Sequence, residues 1–226
     1  MYSGPFPILY EDNHLLAVNK PAGLPTMGVA PDEPSVVSLA RQYIKHRYQK
    51  PGNVYLGVVS RLDASTSGVL LLARTSKAAA RLTAQFRGRE VEKTYWAIVS
   101  GRLEPPTGEL TDWVRKDEAQ QRMVLASPGS AAAKEARLRY RRLRFLGQGS
   151  LVEIELLTGR KHQIRLQFAE RGFPLWGERK YGRGQPFAAG TALHSLRLSL
   201  THPVRQERID LFAPLGKAWQ DLGVDG

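Results

Sequence analysis

The chain has 226 residues, 42% of them hydrophobic, which is enough to bury a substantial core and excludes wholesale disorder. The absence of cysteine excludes disulfides, thiolate catalysis and cysteine-ligated zinc, and it fits a reduced, cytoplasmic location. No run approaches the roughly 20 apolar residues of a membrane-spanning helix, and the first residues carry no export signal.

The charge balance is the first indication of a partner. Lysine and arginine total 33 against 21 acidic residues, which gives a net charge of +12. Such a protein favours polyanions, because neutralising phosphates releases condensed counterions. Arginine is concentrated at residues 137–144 (RLRYRRLR), and its planar guanidinium suits phosphates and stacks on bases. Nucleic acid is therefore the favoured partner, with an anionic membrane surface as the alternative.

The first half of the chain is predicted to contain strands, loops and two helices. Apolar runs at residues 8–10 and 15–18 flank a polar turn and predict a hairpin. Ser35 can cap a helix whose apolar positions keep helical spacing up to Arg47. A buried strand is predicted at residues 69–73 (VLLLA). Ser76 can cap a second helix, with Gly88 beyond its end.

Alternating patterns typical of strands dominate the second half. They occupy residues 93–100, 138–145, 152–156 and 196–200, with a bulge expected at residues 141–142. A helix is expected at residues 161–171, and the polar stretch 104–135 is interpreted as a loop-rich insertion on the sheet. Grouped strands with few helices favour an α+β fold, with a mixed, mainly antiparallel sheet and a few flanking helices.

The strongest candidate for chemistry is the segment at residues 60–68 (SRLDASTSG), which runs directly into the predicted buried strand. It places Asp63 beside an arginine in a loop of small residues, which is the layout of a prepared site. The alternative is an Asx or Ser/Thr turn, in which Asp63 and its neighbours satisfy local backbone groups. Phosphate-binding loops and metal-like histidine spacings are absent, so the sequence predicts no cofactor and no metal.

A second cluster, at residues 157–165 (LTGRKHQIR), follows a strand and enters a predicted helix. Backbone N–H groups at a helix start attract anions, and Arg160, Lys161 and Arg165 add positive charge. The alternative is that Thr158 caps the helix and the cations form a solvated face. Cations oppose the helix dipole at this end, which indicates a negative group nearby.

Residues 60–68 closely resemble the H-R-L-D-x-x-T-S-G signature of the RluA-like family of RNA pseudouridine synthases. Further segments resemble that family's motifs in the same order: residues 19–23 (NKPAG), 93–95 (KTY), 158–165 (TGRKHQIR), 177–182 (GERKYG), 193–194 (LH) and 202–203 (HP). Ser60 replaces the usual histidine and Glu178 the usual aspartate. The ordered set covers nearly the whole chain, which makes the resemblance specific.

The resemblance implies an isomerase that breaks the N1–C1′ bond of uridine, turns the uracil and rejoins it through C5 without a cofactor. It implies Asp63 as the catalytic carboxylate, which either attacks covalently or removes the ribose C2′ proton. Arg165 would pair with Asp63 and lower its pKa. Tyr95 would stack on the base and help to remove the C5 proton, although a core strand tyrosine fits the pattern equally well.

The resemblance also implies contacts with the substrate. Ile164 would pack against the base, and Arg61 would fill the space left by the extruded uridine. Arg160 belongs to the same predicted substrate-binding set. Lys20 either touches a phosphate or braces the loop that follows it. His194 and His202 are interpreted as structural residues.

The implied partner is ribosomal or transfer RNA, with no DNA and no membrane. The implied architecture is a single catalytic domain over residues 1–226, without an S4 domain, acting as a monomer. One alternative is a non-catalytic RNA-binding protein with the same fold, which Ser60 would favour. A metal-dependent nuclease would need clustered carboxylates, and a membrane-surface protein would need a basic amphipathic helix.

Overall fold

Strands form most of the regular structure in the computed structural model, which describes residues 5–30 and 32–225. The strands are β1 (Ile8–Glu11), β2 (Leu15–Lys20), β3 (Gly57–Val58), β4 (Ser67–Ala73), β5 (Glu92–Ser100), β6 (Thr107–Asp117), β7 (Arg122–Ala126), β8 (Lys134–Leu146), β9 (Gly149–Leu156), β10 (Leu193–Thr201) and β11 (Arg208–Phe212). The helices are α1 (Val36–Arg47), α2 (Ser76–Gly88), α3 (Gln163–Ala169) and α4 (Lys217–Gln220).

The chain divides into two compact units. The first contains Met1–Glu92, His194–Gly216 and Asp225–Gly226, and the second contains Lys93–Leu193 and Lys217–Val224. None of the helices within residues 5–30 and 32–225 combines the length and the apolar character that spanning a membrane would require. The single catalytic domain expected over residues 1–226 stays a prediction.

The sheet of the first unit is mixed. β1 and β2 form the predicted antiparallel hairpin, whose turn is closed by Asp12 Oδ1 accepting from the amides of His14 and Leu15. β4 pairs antiparallel with β2 and β3, and parallel with β10, where Ser67 lies opposite His194. β11 continues the sheet antiparallel to β10. β4 is therefore a central strand, which explains why the predicted run at its centre is almost entirely apolar.

The two helices of the first unit begin with side-chain caps. Ser35 caps α1 as predicted: its Oγ accepts from the Ser38 amide, and the Ser35 amide donates to Ser38 Oγ. α2 is capped by Thr75 and not by Ser76, because Thr75 has the extended backbone that a cap requires and accepts from the Ala78 amide. Gly88 is still helical, and the left-handed residue at the end of α2 is Arg89 (φ 62°).

The sheet of the second unit is antiparallel throughout, in the order β5-β9-β8-β6-β7. The register of β8 against β9 shifts between Arg142 and Arg144, which places the expected bulge one residue later in the chain. Together the two units confirm the α+β class with a mixed, mainly antiparallel arrangement of strands.

The prediction of a loop-rich insertion at residues 104–135 is wrong. This stretch contains β6, β7 and the first residues of β8, paired in continuous antiparallel register. Only a few inward positions, such as Leu110, Val114 and Met123, are buried. The other face is solvated and polar, so the apolar alternation is too sparse to be recognised as strand.

Candidate active site

Asp63 lies on the loop that leads into β4, and neighbouring residues of this loop are held by hydrogen bonds. Thr26 Oγ1 donates to the carbonyl oxygen of Leu62 (2.8 Å) and accepts from the Leu62 amide (3.2 Å). The Thr66 amide donates to the carbonyl oxygen of Asp63 (3.0 Å) and closes a turn. The Asp63 side chain is partly exposed. The fold therefore presents this carboxylate from a fixed backbone.

Lys20 is fully buried and joins the Asp63 loop to the loop that follows β2. Its Nζ donates to the carbonyl oxygens of Pro21 (2.8 Å), Leu24 (2.7 Å) and Ala64 (3.0 Å). Burial lowers the pKa of Lys20 from 10.5 to about 8, and attraction to the Asp63 carboxylate opposes this shift. The three carbonyls occupy all three N–H donors of the ammonium, which favours bracing over phosphate contact.

A close approach of β4 to β10 fixes the end of the loop. Gly68 has φ +110°, and a Cβ there would lie 2.2 Å from the carbonyl oxygen of Ser195. Beside it, His194 Nε2 donates to the carbonyl oxygen of Ala213 (3.0 Å), so His194 Nδ1 accepts from Ser67 Oγ (2.8 Å). Burial lowers the pKa of His194 to about 4, which keeps the ring neutral at pH 7. These contacts support the structural interpretation of His194.

The second cluster lies in the second unit, where the chain enters α3. His162 has a left-handed backbone (φ 54°), so the helix begins at Gln163, later than the predicted residue 161, and it ends at Ala169. Thr158 does not cap it. The Thr158 hydroxyl donates to Gln163 Oε1 (2.8 Å) and accepts from the Arg137 amide (2.8 Å), which ties this loop to β8.

Arg165 on α3 forms a buried ion pair with Glu178. Arg165 Nε donates to Glu178 Oε2 (2.7 Å) and Nη2 donates to Oε1 (2.9 Å). Glu178 Oε1 also accepts from the amides of Arg179, Lys180 and Tyr181. Burial raises the pKa of Glu178, but Arg165 and the amides outweigh it and lower the pKa below 4.5. Glu178 is therefore an anionic clamp that orients the Arg165 guanidinium.

Tyr95 and Ile164 belong to one apolar cluster of the second unit. Tyr95 is partly buried on β5, opposite Ile154 of β9, and it packs against the cluster that contains Ile164. Ile164 is 4% exposed. Their predicted contacts with a base stay predictions.

The two remaining predicted substrate contacts differ in exposure. Arg61 is exposed on the Asp63 loop of the first unit. Arg160 in the second unit is partly buried, and its Nε donates to the carbonyl oxygen of Glu135 (2.7 Å). Arg61 thus has the freedom that an inserting side chain needs, whereas part of the Arg160 guanidinium is already engaged.

The arginine-rich run at residues 137–144 is extensively paired with carboxylates. Arg137 and Arg139 both contact Glu109, at 2.8 and 3.1 Å. Arg141 pairs with Glu153 at 2.8 Å, and Arg142 pairs with Glu104. The interpretation of this run as a phosphate-binding surface is therefore not supported, because neighbouring glutamates offset much of its charge.

The sequence profile of a family described as RNA pseudouridylate synthase matches residues 14–170. The chain belongs to this family. The synthase is 32% identical to the ribosomal large subunit pseudouridine synthase D of Zymomonas mobilis, over 96% of this chain and 72% of that protein. It is 33% identical to the dual-specificity RNA pseudouridine synthase RluA of Haemophilus influenzae, over 88% of this chain and 89% of that protein.

The solved structure of human RNA pseudouridylate synthase domain containing 4 superimposes on the synthase with a TM-score of 0.79 at 25% identity. The match covers 97% of this chain and 94% of that chain. The synthase is therefore an isomerase that converts uridine to pseudouridine in RNA, as the resemblance implied. The alternatives of a non-catalytic RNA-binding protein, a nuclease and a membrane-surface protein are set aside.

Motifs and spacing assign no role to Glu178 and Tyr181, yet both side chains lie against Arg165 within the second unit. Glu178 was noted only as a departure from the family pattern, yet it clamps Arg165. The Tyr181 hydroxyl accepts from the Met123 amide (3.1 Å) and shares a hydrogen bond with His162 Nδ1 (2.6 Å). Both residues lie in the segment 177–182 (GERKYG), and the resemblance of this segment to a family motif was the signal that could have identified them.

Proposed function

We propose that this synthase modifies uridines of ribosomal RNA, transfer RNA or both, with Asp63 as its catalytic carboxylate. The observation that carries the proposal is the setting of Asp63. It is a partly exposed carboxylate on a loop held by Thr26 and Lys20, and it attracts the buried charge of Lys20.

Both chemical routes open to Asp63 need an ionised carboxylate in a fixed position. Covalent attack uses the carboxylate as the nucleophile, and removal of the ribose C2′ proton uses it as the base. The Lys20 ammonium already attracts the Asp63 carboxylate. Arg165 is proposed as the second cation, since Glu178 orients its guanidinium.

The substrate base is proposed to contact residues of the second unit. Tyr95 would stack on the uracil and Ile164 would pack against it, because both side chains belong to the same apolar cluster. The target uridine must leave its stack before its glycosidic bond is accessible, and Arg61 is proposed to fill the vacated space. Arg160 is proposed to contact a phosphate with the part of its guanidinium that does not bind Glu135.

The choice of RNA rests on the relatives. The Zymomonas mobilis relative is named for the large ribosomal subunit and the Haemophilus influenzae relative for dual specificity. Ribosomal RNA is therefore one proposed substrate, and transfer RNA is the other. The protein is proposed to act as a cytoplasmic monomer without a cofactor.

The deciding experiment maps pseudouridine at nucleotide resolution in total RNA from a host strain that lacks this protein. The RNA is incubated, without added metal, with wild type, Asp63→Asn or the control Asp221→Asn, which changes an exposed aspartate after α4. We expect new sites with wild type and with Asp221→Asn and none with Asp63→Asn, while RNA affinity stays within about twofold, a difference of roughly 0.4 kcal/mol. Turnover by Asp63→Asn would remove Asp63 from catalysis.

A further inference from the structure

A cleft of about 570 Å³ lies on the first unit, outside the Asp63 loop. One wall is the exposed face of α1, with Arg41 and Lys45 one turn apart. The other wall is the segment before β3, which includes Gly52, Asn53 and Tyr55. The roles proposed above use none of these residues.

The charge of this cleft has no local compensation. No aspartate or glutamate occurs between Glu33 and Asp63 in the sequence. Among the described residues, neither Arg41 nor Lys45 contacts a carboxylate. The four arginines of residues 137–142 differ in this respect, since each of them pairs with a glutamate. The cleft therefore offers two of the excess positive charges of the chain, without local compensation, to an anionic partner.

Tyr55 adds an aromatic surface to the same cleft. Tyr55 is 50% exposed and lines the cleft together with Arg41 and Lys45. A single exposed aromatic residue is not informative alone. Aromatic rings next to cations form the arrangement that binds single-stranded nucleic acid, because bases stack on the ring while cations contact the backbone phosphates.

We propose that this cleft is an auxiliary binding site for a single-stranded segment of the substrate RNA. Arg41 and Lys45 contact consecutive phosphates, and a base stacks on Tyr55. The site holds RNA that flanks the target and contributes to affinity, not to the chemical step. This inference rests on the proposed function only in that the substrate is RNA.

The test uses a fluorescent single-stranded RNA of about 12 nucleotides without uridine, within the site sizes typical of such grooves. Without uridine the probe contains no target for the chemistry at Asp63. Anisotropy titrations give Kd for the full chain. The double variant Arg41→Ala/Lys45→Ala should raise Kd about tenfold or more, and it should reduce the slope of log affinity against log salt by about 1.4. Tyr55→Leu should raise Kd about tenfold, and Tyr55→Phe should retain wild-type affinity.

The matched control is Lys77→Ala/Arg87→Ala, which removes the same two charges from exposed positions on α2 of the same unit. Equal Kd values for the two double variants would overturn the site, as would no binding of the probe by wild type. If Arg41→Ala/Lys45→Ala lost binding to anionic vesicles but kept wild-type affinity for the RNA probe, the cleft would instead bind a lipid surface, and the proposal would be overturned. Turnover by Asp63→Asn would remove the proposed catalytic role without affecting these Kd values, so the two failures are distinguishable.

Discussion

Arg165 and Glu178 form a bidentate ion pair inside the second unit, with N–O distances of 2.7 and 2.9 Å. Three backbone amides from residues 179–181 also bind the Glu178 carboxylate. The anion is therefore fixed by its own loop, and the arginine is oriented by the anion. Glu178, which replaces the aspartate usual in the family motif, therefore positions the Arg165 side chain.

Replacing Glu178 by glutamine should leave the Arg165 guanidinium buried without a charge partner. We expect the free energy of unfolding to fall by about 3–5 kcal/mol, because a buried cation loses its compensation. Glu178→Asp keeps the charge and should lose at least about 1 kcal/mol less. Urea unfolding of both variants checks this, and pseudouridine formation should follow the same order. Equal stability of Glu178→Gln and wild type would contradict the clamp.

Lys20 should make the stability of the protein depend on alkaline pH. Its folded pKa of about 8 lies below 10.5, so the unfolded chain binds more protons between these values and stability rises with pH there. Wild type and Lys20→Met are compared by urea unfolding from pH 7 to 10.5. The difference, wild type minus variant, should grow on the order of 3 kcal/mol across this window. A difference independent of pH would contradict the lowered pKa.

Gly68 should not tolerate a side chain. Its φ of +110° and the 2.2 Å approach of a Cβ to the Ser195 carbonyl oxygen require the backbone of β4 or β10 to move. Gly68→Ala should therefore lose more than about 3 kcal/mol of stability. The control Gly216→Ala adds the same methyl group where no atom lies within 4 Å. Similar melting temperatures for the two variants would show that the strands adjust without cost.

His194 should contribute to loss of stability in acid. Its folded pKa of about 4 lies below the ordinary value of 6.5, so its contribution is complete above pH 6.5 and is lost as the pH falls towards 4. The difference in free energy of unfolding, wild type minus His194→Asn, should shrink by on the order of 3 kcal/mol over this range. Urea titrations from pH 4 to 7.5 measure it, and a constant difference would refute the assignment.

Local signals in the sequence predicted local structure well. The β1–β2 hairpin and the Ser35 cap were predicted correctly, because a turn or a cap depends on residues only a few positions apart. The predictions failed where competing residues were adjacent, as for Thr75 and Ser76, or where apolar positions were sparse, as in β6 and β7.

The order of motifs and the charge excess by themselves determined the family, the reaction and the residues proposed for catalysis. Only the tertiary structure decided how those residues are held. The pairing of Arg165 with Glu178, the hydrogen bond from Lys20 to the Ala64 carbonyl and the glutamates opposite the arginines of residues 137–142 all join different segments of the chain. Such contacts depend on strand register and chain crossing, which residue type and spacing do not specify.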